Sequence, residues 1–372
     1  MDNTTKKKIL CVLQLPPPVH GASMMNEYII NSSLLNKRFD LEFINLQFAK
    51  SVDDINNFSI RKIWLTFYYA AEILKKIIRD KPHMVYFPFS PLGFAFYRDF
   101  FYVLLMKISI KRIVLHFHVK GINERIKKNI VLKLLYRYIF KSTFVIYLTK
   151  SLSKDIREVY WREPYIVPNG IPWNTLNVSK KKRNSHNVPR ILYLSNYKES
   201  KGILVLIEAL DILRRRKEIF EARLVGAPSD LSVTELKEII KEKKLEEYVT
   251  ITGPKYNIEK TEEFLNADIF VFPTFYKKES FPLVILEAMQ FSLPVVTTYE
   301  GGISDIVDDK ETGFIVEKRN PEILAVRIGE LLGNERLRTE MGEKGHIKFR
   351  NEYTLAHFEN NMYETFNKIL ST

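Results

Sequence analysis

Two doubly wound α/β domains of similar size are predicted for this 372-residue chain, on three observations. Short β-like runs alternate with amphipathic helical stretches, the alternation stops once, and it then restarts. Strand–helix alternation means a parallel sheet covered on both faces. At roughly 150 residues per domain, a chain of this length holds two or three domains, each able to bury its own core.

In the first half, strands are expected at residues 9–15, 41–46, 84–87, 112–115 and 143–148, runs rich in Val, Ile, Phe and Tyr. Helical spacing covers 23–35, 61–79, 92–108, 122–140 and 152–160. Residues 172–189 are polar and basic with no apolar period, which reads as a linker. Beyond it, strands at 190–195, 222–225, 249–252, 269–273 and 295–298 alternate with helices at 202–216, 233–244 and 282–291. Three helical stretches, 321–332, 335–350 and 355–369, close the chain. The expected domains are therefore 1–171 and 190–352, with helix 355–370 packing back on the first. Ligands of open α/β sheets sit beyond the carboxyl ends of the strands, so the expectation is two sheets facing each other across a ligand cleft.

Composition removes several classes. Hydrophobic residues make up 46% and charged residues 27%, an ordinary globular profile that excludes intrinsic disorder as the main state. Cys11 has no partner for an internal disulfide, which points to a reducing cytoplasm. Apolar runs fall short of the roughly 18–20 residues that span a bilayer. Lys6, Lys7 and Lys8 followed by an apolar stretch mimic a signal peptide, but Gln14 and Pro16 to Pro18 end it early, so a buried first strand is expected. Residues 1–175 carry 27 Lys/Arg against 13 Asp/Glu, net +14, whereas 190–372 carry 26 against 31, net −5. Such asymmetry suggests that the first half meets something anionic.

Around Pro273 the sequence becomes chemically specific. A strand ends there, a loop carries Glu279, and a helix starts near Pro282 with Glu287 further along it. Proline suits a first helical turn because it has no N–H to leave unpaired. The free amides of Phe281, Leu283 and Val284 near that start make an anion site. One acid before the helix start and one within it could hold a nucleotide-sugar at both ends. The plainer alternative is that Glu279 caps the helix and Glu287 is solvated.

The Glu279 and Glu287 spacing, followed by Ala288, Met289 and a Pro294-Val295-Val296 strand, resembles the signature of glycosyltransferase family 4, the retaining family with the GT-B fold. Pro168-Asn169-Gly170, Asn196 with Lys201-Gly202, Gly301-Gly302, and Thr312-Gly313 follow that family's order, and Leu15 to Ser23 resembles its acceptor-side loop. The resemblance implies that Lys201 binds the donor diphosphate, that Glu279 contacts donor-sugar hydroxyls and that Glu287 contacts the ribose. It places Asn196, Ser280, Phe281, Leu283 and Val284 at the donor and His118 near the transferring sugar, with Gly21 and His20 on the acceptor side. His118, Glu279 and Lys201 are the expected catalytic residues. His116 alternates with His118 and is expected on the other face of its strand. Asn196 stands where many members carry arginine, Ser280 where glycine is common, and Asp305 where glutamate is usual.

No Asp-x-Asp, metal-spaced Cys/His cluster or Gly-x-Gly-x-x-Gly occurs, so neither metal nor cofactor is expected. The expected activity is hexose transfer, with retention, from a nucleotide-sugar to a glycan or lipid-linked glycan in bacterial surface polysaccharide synthesis. An epimerase or phosphorylase of the same architecture is the alternative. Basic residues recur at Arg125, Lys127, Lys128, Lys133, Arg137 and Lys141, interleaved with apolar and aromatic ones. This stripe is expected to lie on anionic lipid at the inner face of the plasma membrane, making the enzyme cytoplasmic and peripheral. Nucleic acid is the rival partner of a basic face, but the sequence carries no nucleic-acid motif.

Overall fold

The structure, a computed structural model, describes residues 6–48, 59–174 and 188–372. The middle of the expected linker, residues 175–187, lies outside them. The chain forms two compact units, one of residues 1–170 with 355–372, the other of residues 171–354.

The first unit runs β1 (Lys7–Leu13), α1 (Gly21–Asn31), α2 (Ser33–Arg38), β2 (Phe39–Asn45), α3 (Ile60–Asp80), β3 (Met84–Pro88), α4 (Gly93–Ser109), β4 (Ile113–Phe117), α5 (Ile122–Lys128), α6 (Ile130–Phe140), β5 (Phe144–Tyr147), α7 (Lys150–Ser153) and β6 (Tyr165–Ile166). Its parallel sheet has the order β2-β1-β3-β4-β5-β6, with Ile9 level with Leu41 on one side and Met84 on the other. Ile9 to Leu13 are all buried, as a central parallel strand covered on both faces requires.

Three expected helices are shorter than their spacing, two of them because a side chain ends them. Ser32 ends the first by accepting from the Leu35 amide at 3.2 Å, which starts α2. Asn129 divides the 122–140 stretch, because its Oδ1 accepts from the Val131 and Leu132 amides at 2.9 and 3.2 Å. Short polar side chains that bind nearby backbone in this way compete with helix continuation. The 152–160 stretch reduces to α7 and one 3-10 turn, Lys154–Ile156.

The second unit runs β7 (Arg190–Leu194), α8 (Ile203–Arg215), β8 (Glu221–Val225), α9 (Val233–Glu242), β9 (Val249–Gly253), α10 (Asn257–Leu265), β10 (Ile269–Phe272), α11 (Leu283–Gln290), β11 (Val295–Thr298), α12 (Ile303–Ile306), β12 (Gly313–Val316), α13 (Pro321–Gly333) and α14 (Glu335–Glu352). Its sheet is parallel in the order β12-β11-β10-β7-β8-β9. Helix α10 and strand β12 were not among the expected elements. Only Glu263 and Phe264 of α10 are buried, too thin an apolar face to announce a helix.

The last helix, α15 (Leu355–Ser371), belongs to the first unit. Its Phe366 ring lies 6.1 Å from Phe39 of β2 and 5.4 Å from Tyr86 of β3. The Arg112 guanidinium donates to the Ile369 carbonyl at 3.1 Å, across 257 residues of sequence. The two-unit α/β class expected from the alternation is the one observed. Among the described residues no helix is long and apolar enough to cross a membrane.

Candidate functional site

Each sheet reverses its strand order once. In the second unit β8 and β9 lie to one side of β7, and β10, β11 and β12 to the other. The chain therefore leaves β7 and β10 in opposite directions, and the gap beyond their carboxyl ends is the topological switch point where ligands of such sheets bind. Lys201 follows β7 and Glu279 follows β10.

These two residues meet. Lys201 Nζ lies 2.5 Å from Glu279 Oε2, with the side chains 20% and 11% exposed. The ammonium also lies 4.9 Å from the Tyr276 ring centre and 5.5 Å from that of Phe272. Lys201 closes a 3-10 turn whose cap, Gly202, has φ 85°. A Cβ there would lie 2.1 Å from the Pro273 carbonyl oxygen, so only glycine lets the β7 loop lean on the end of β10. The Phe275 amide donates to the Ser200 carbonyl at 2.8 Å and fastens the same two loops. Gly301, with φ 59°, does the corresponding service on the other side. A Cβ there would lie 2.2 Å from the Glu279 carbonyl oxygen, and the Gly302 amide donates to Ser280 O at 2.7 Å.

Helix α11 begins at Leu283, with Pro282 as its cap residue and no side chain capping it. Glu279 is thus an ion-pair partner and not the cap of this helix. By helix geometry the Leu283 and Val284 amides precede the first repeating backbone bond. The Phe281 side chain is buried against Tyr353, ring centres 5.9 Å apart, so its amide is what it can offer a ligand. Ser280 is buried, and its hydroxyl has no partner among the described residues. Glu287 pairs with Lys260 of α10 at 2.6 Å and is not a free solvated acid. Lys260 escaped sequence reasoning because α10 did. Asn196 is exposed on the β7 loop. Lys198, next along, lies 3.4 Å from Asp230 and 5.8 Å from the Tyr276 ring that Lys201 also approaches.

In the first unit the reversal falls between β1 and β3. The loop after β1 brings His20 to the start of α1, where Nδ1 accepts from the Ser23 amide at 3.2 Å and Ser23 Oγ accepts from the His20 amide at 3.0 Å. Among the described residues, nothing beyond its chain neighbours and its own helix backbone lies within 4 Å of a Cβ built on Gly21. The expectation that His116 and His118 diverge is corrected: their ring centres are 4.2 Å apart. Residues i and i+2 of extended chain point to the same face. Tyr86 Oη lies 2.7 Å from His116 Nδ1. Both ring nitrogens of His118 are sealed from solvent and have no hydrogen-bond partner among the described residues. Burial, with His20 nearby adding to it, pulls the His118 pKa down to about 3. Burial also holds His116 well below the usual range and lowers His20. His118, His20 and Gly21 therefore stand in the first unit, and Lys201, Glu279, Ser280, Phe281, Leu283, Val284, Glu287 and Asn196 in the second. Among the described residues no three His, Cys, Asp or Glu are grouped to hold a metal ion.

Comparison with known proteins gives a family match over the second half of the chain. Residues 175–348 match the family described as glycosyl transferases group 1. The chain is 29% identical over 180 residues to the capsular polysaccharide biosynthesis glycosyltransferase CapM of Staphylococcus aureus, covering 47% of this chain and 46% of that protein. It therefore spans about half the length of the curated relatives it matches. Among solved structures, a glycosyltransferase from Rickettsia africae ESF-5 superposes with a TM-score of 0.75 at 21% identity over 99% of both chains. Anabaena Alr3699/HepE in complex with UDP does so with a TM-score of 0.73 at 18% identity, covering 97% of this chain and 100% of that one. The two Rossmann-like units have the GT-B fold of these glycosyltransferases, and residues 175–348 match the glycosyl transferases group 1 family.

Proposed function

We propose that the chain is a retaining hexosyltransferase. It takes a hexose from a nucleotide-sugar and adds it to a glycan or lipid-linked glycan acceptor, in bacterial surface polysaccharide synthesis. The observation that carries this reading is the Lys201–Glu279 pair at the switch point, 2.5 Å across and beside the first turn of α11. Without a ligand the two charges satisfy each other. A donor diphosphate draws Lys201 onto its oxygens, joined by the Leu283 and Val284 amides and the Ser280 hydroxyl, and frees the Glu279 carboxylate to accept from sugar hydroxyls. Glu287, steadied by Lys260, accepts from the ribose. As the sugar–phosphate bond breaks, negative charge grows on the departing diphosphate, and preorganised cationic and N–H donors stabilise it most at that moment. This supplies a charge-stabilising route that needs no cation. His118, neutral at working pH, offers the sugar hydrogen bonds and not a proton. The acceptor falls to the first unit, held at the inner face of an anionic membrane. The UDP complex of the similar HepE structure and the capsular pathway named for CapM support the donor and pathway classes.

Titration with a bare nucleoside diphosphate, in excess chelator, tests the assignment. Glu287→Gln should weaken binding about tenfold, the value of a charged hydrogen bond of roughly 1.5 kcal/mol. Glu279→Gln, which frees Lys201 from its ion pair, should not weaken that affinity yet should lower turnover. The reverse pattern exchanges the two roles, and binding that requires added divalent cation ends the metal-free mechanism.

A further inference from the structure

The outer layer of the first unit is built like a membrane-inserting surface. The connections β2 to β3, β3 to β4 and β4 to β5 all step the same way across the sheet. Right-handed crossovers then put α3, α4 and α6 side by side on one face. Their inner sides are buried through residues such as Ile73, Val103 and Ile139. The outer side of such a layer is ordinarily polar. Here Ile60, Trp64 and Phe67 of α3 are 83%, 65% and 62% exposed, and Phe94 of α4 is 76% exposed. Trp64 stacks on exposed Tyr68 at 5.5 Å. The patch is continuous across α4, since Phe67 meets Phe101 at 6.1 Å and Tyr138 of α6 meets Phe100 at 6.3 Å.

The charges beside this patch say what covers it. Lys127 and Lys128 are exposed and stand one residue before exposed Ile130 and Val131, and Arg61 is exposed within the α3 stripe. The basic stripe expected from sequence is narrower than it looked. The Arg125 guanidinium donates inward to the Pro91 carbonyl at 2.7 Å, and Lys133 pairs with Glu158 at 2.6 Å. What remains is a set of amphipathic rings and aliphatic side chains edged with cations. Tryptophan and tyrosine settle at the headgroup level of a bilayer, and lysine and arginine meet its anionic headgroups. An apolar patch of this extent on a soluble unit marks an interaction surface.

We infer that α3 and α4 dock the first unit on an anionic bilayer and bury Trp64, Phe67 and Phe94 among its lipids, with Lys127, Lys128 and Arg61 on the headgroups. This deepens the membrane part of the reading above and rests on it, while donor binding does not enter. The test uses the full chain with Trp161→Phe and Trp173→Phe, so that Trp64 alone emits, and vesicles of phosphatidylcholine with and without phosphatidylglycerol. The expected result is a blue shift of Trp64 emission on the anionic vesicles only. Trp64→Ser with Phe67→Ser, made in the otherwise unaltered chain, should lower partitioning at least about tenfold, given what burying such side chains is worth. Nucleoside diphosphate affinity should not change. Full partitioning of the serine variant, together with no Trp64 emission shift in the single-tryptophan chain, overturns insertion, even if Lys127→Glu with Lys128→Glu still releases the protein. No partitioning of the unaltered chain at low salt overturns the membrane reading as well. A dimer dissolved by the serine substitutions, with vesicles ignored, assigns the patch to a second copy and overturns the proposal. The nucleoside diphosphate titration judges the transferase reading separately from all three.

Discussion

Replacing Lys201 with alanine is expected to lower turnover about 10²–10³-fold, the usual cost of losing one preorganised donor to developing charge. Affinity for the nucleoside diphosphate should fall by about 10–100-fold, the equivalent of a charged hydrogen bond of roughly 1.5–3 kcal/mol. The variant also strands Glu279, whose side chain is only 11% exposed. An unpaired carboxylate so placed costs roughly 1–3 kcal/mol of stability. Lys201→Ala combined with Glu279→Gln separates the two effects: the second change should restore the melting temperature and leave turnover low. If Lys201→Ala binds the nucleoside diphosphate as tightly as the unaltered chain does, the lysine serves only Glu279 and the diphosphate has another cation.

Acid should loosen the first unit well before most carboxylates titrate. In the folded chain His118 stays neutral down to about pH 3, whereas an unfolded histidine takes its proton near pH 6.5. Below pH 6.5 the unfolded state therefore binds more protons, and stability falls with pH until the folded value is reached. The slope approaches 1.36 kcal/mol per pH unit for each such group, so His118 alone accounts for roughly 2 kcal/mol by pH 5. His116 and His20 act in the same direction. Urea titrations at pH 7.5 and 5 should show the loss, and His118→Asn, which cannot titrate, should lose about 2 kcal/mol less. Equal losses in the two proteins would falsify the assignment of acid sensitivity to this ring. The same physics shapes catalysis: a histidine neutral throughout the physiological range should leave no titration step near pH 6 to 7 in kcat.

Much of this architecture is legible in the sequence because a central parallel strand is covered on both faces and so reads as an unbroken apolar run, as Ile269 to Phe272 do. Helix ends are less legible, since one side chain decides them: Asn129 divides a stretch whose apolar period continues through it. The Lys201–Glu279 contact spans 78 residues and follows from neither local spacing nor composition. The family motif named both residues, and strand order explains why they meet. Lys260 stayed hidden because it belongs to a helix with almost no apolar face. The aromatic patch stayed hidden for the opposite reason. Along α3 both the buried and the exposed stripe are apolar, and periodicity alone does not tell a core face from a docking face.

The return of α15 to the first unit has a consequence for how the protein is made. Tyr86 and Phe39 are translated early, yet the Phe366 ring that covers them leaves the ribosome only after the whole second unit. Residues 171–354 separate the unit's two pieces, a gap of roughly 10–40 s at about 5–20 residues per second of synthesis. Throughout that interval the nascent first unit presents an unclosed apolar groove, an opportunity for chaperones and for aggregation alike. The second unit, continuous in sequence, has no such wait. A force-sensing arrest sequence placed after residue 354 should report folding of the second unit alone, and moving it beyond Ser371, with a tether clearing the exit tunnel, should add a second folding event. A first-unit event that is complete before α15 is made would show that the helix merely decorates a domain already closed.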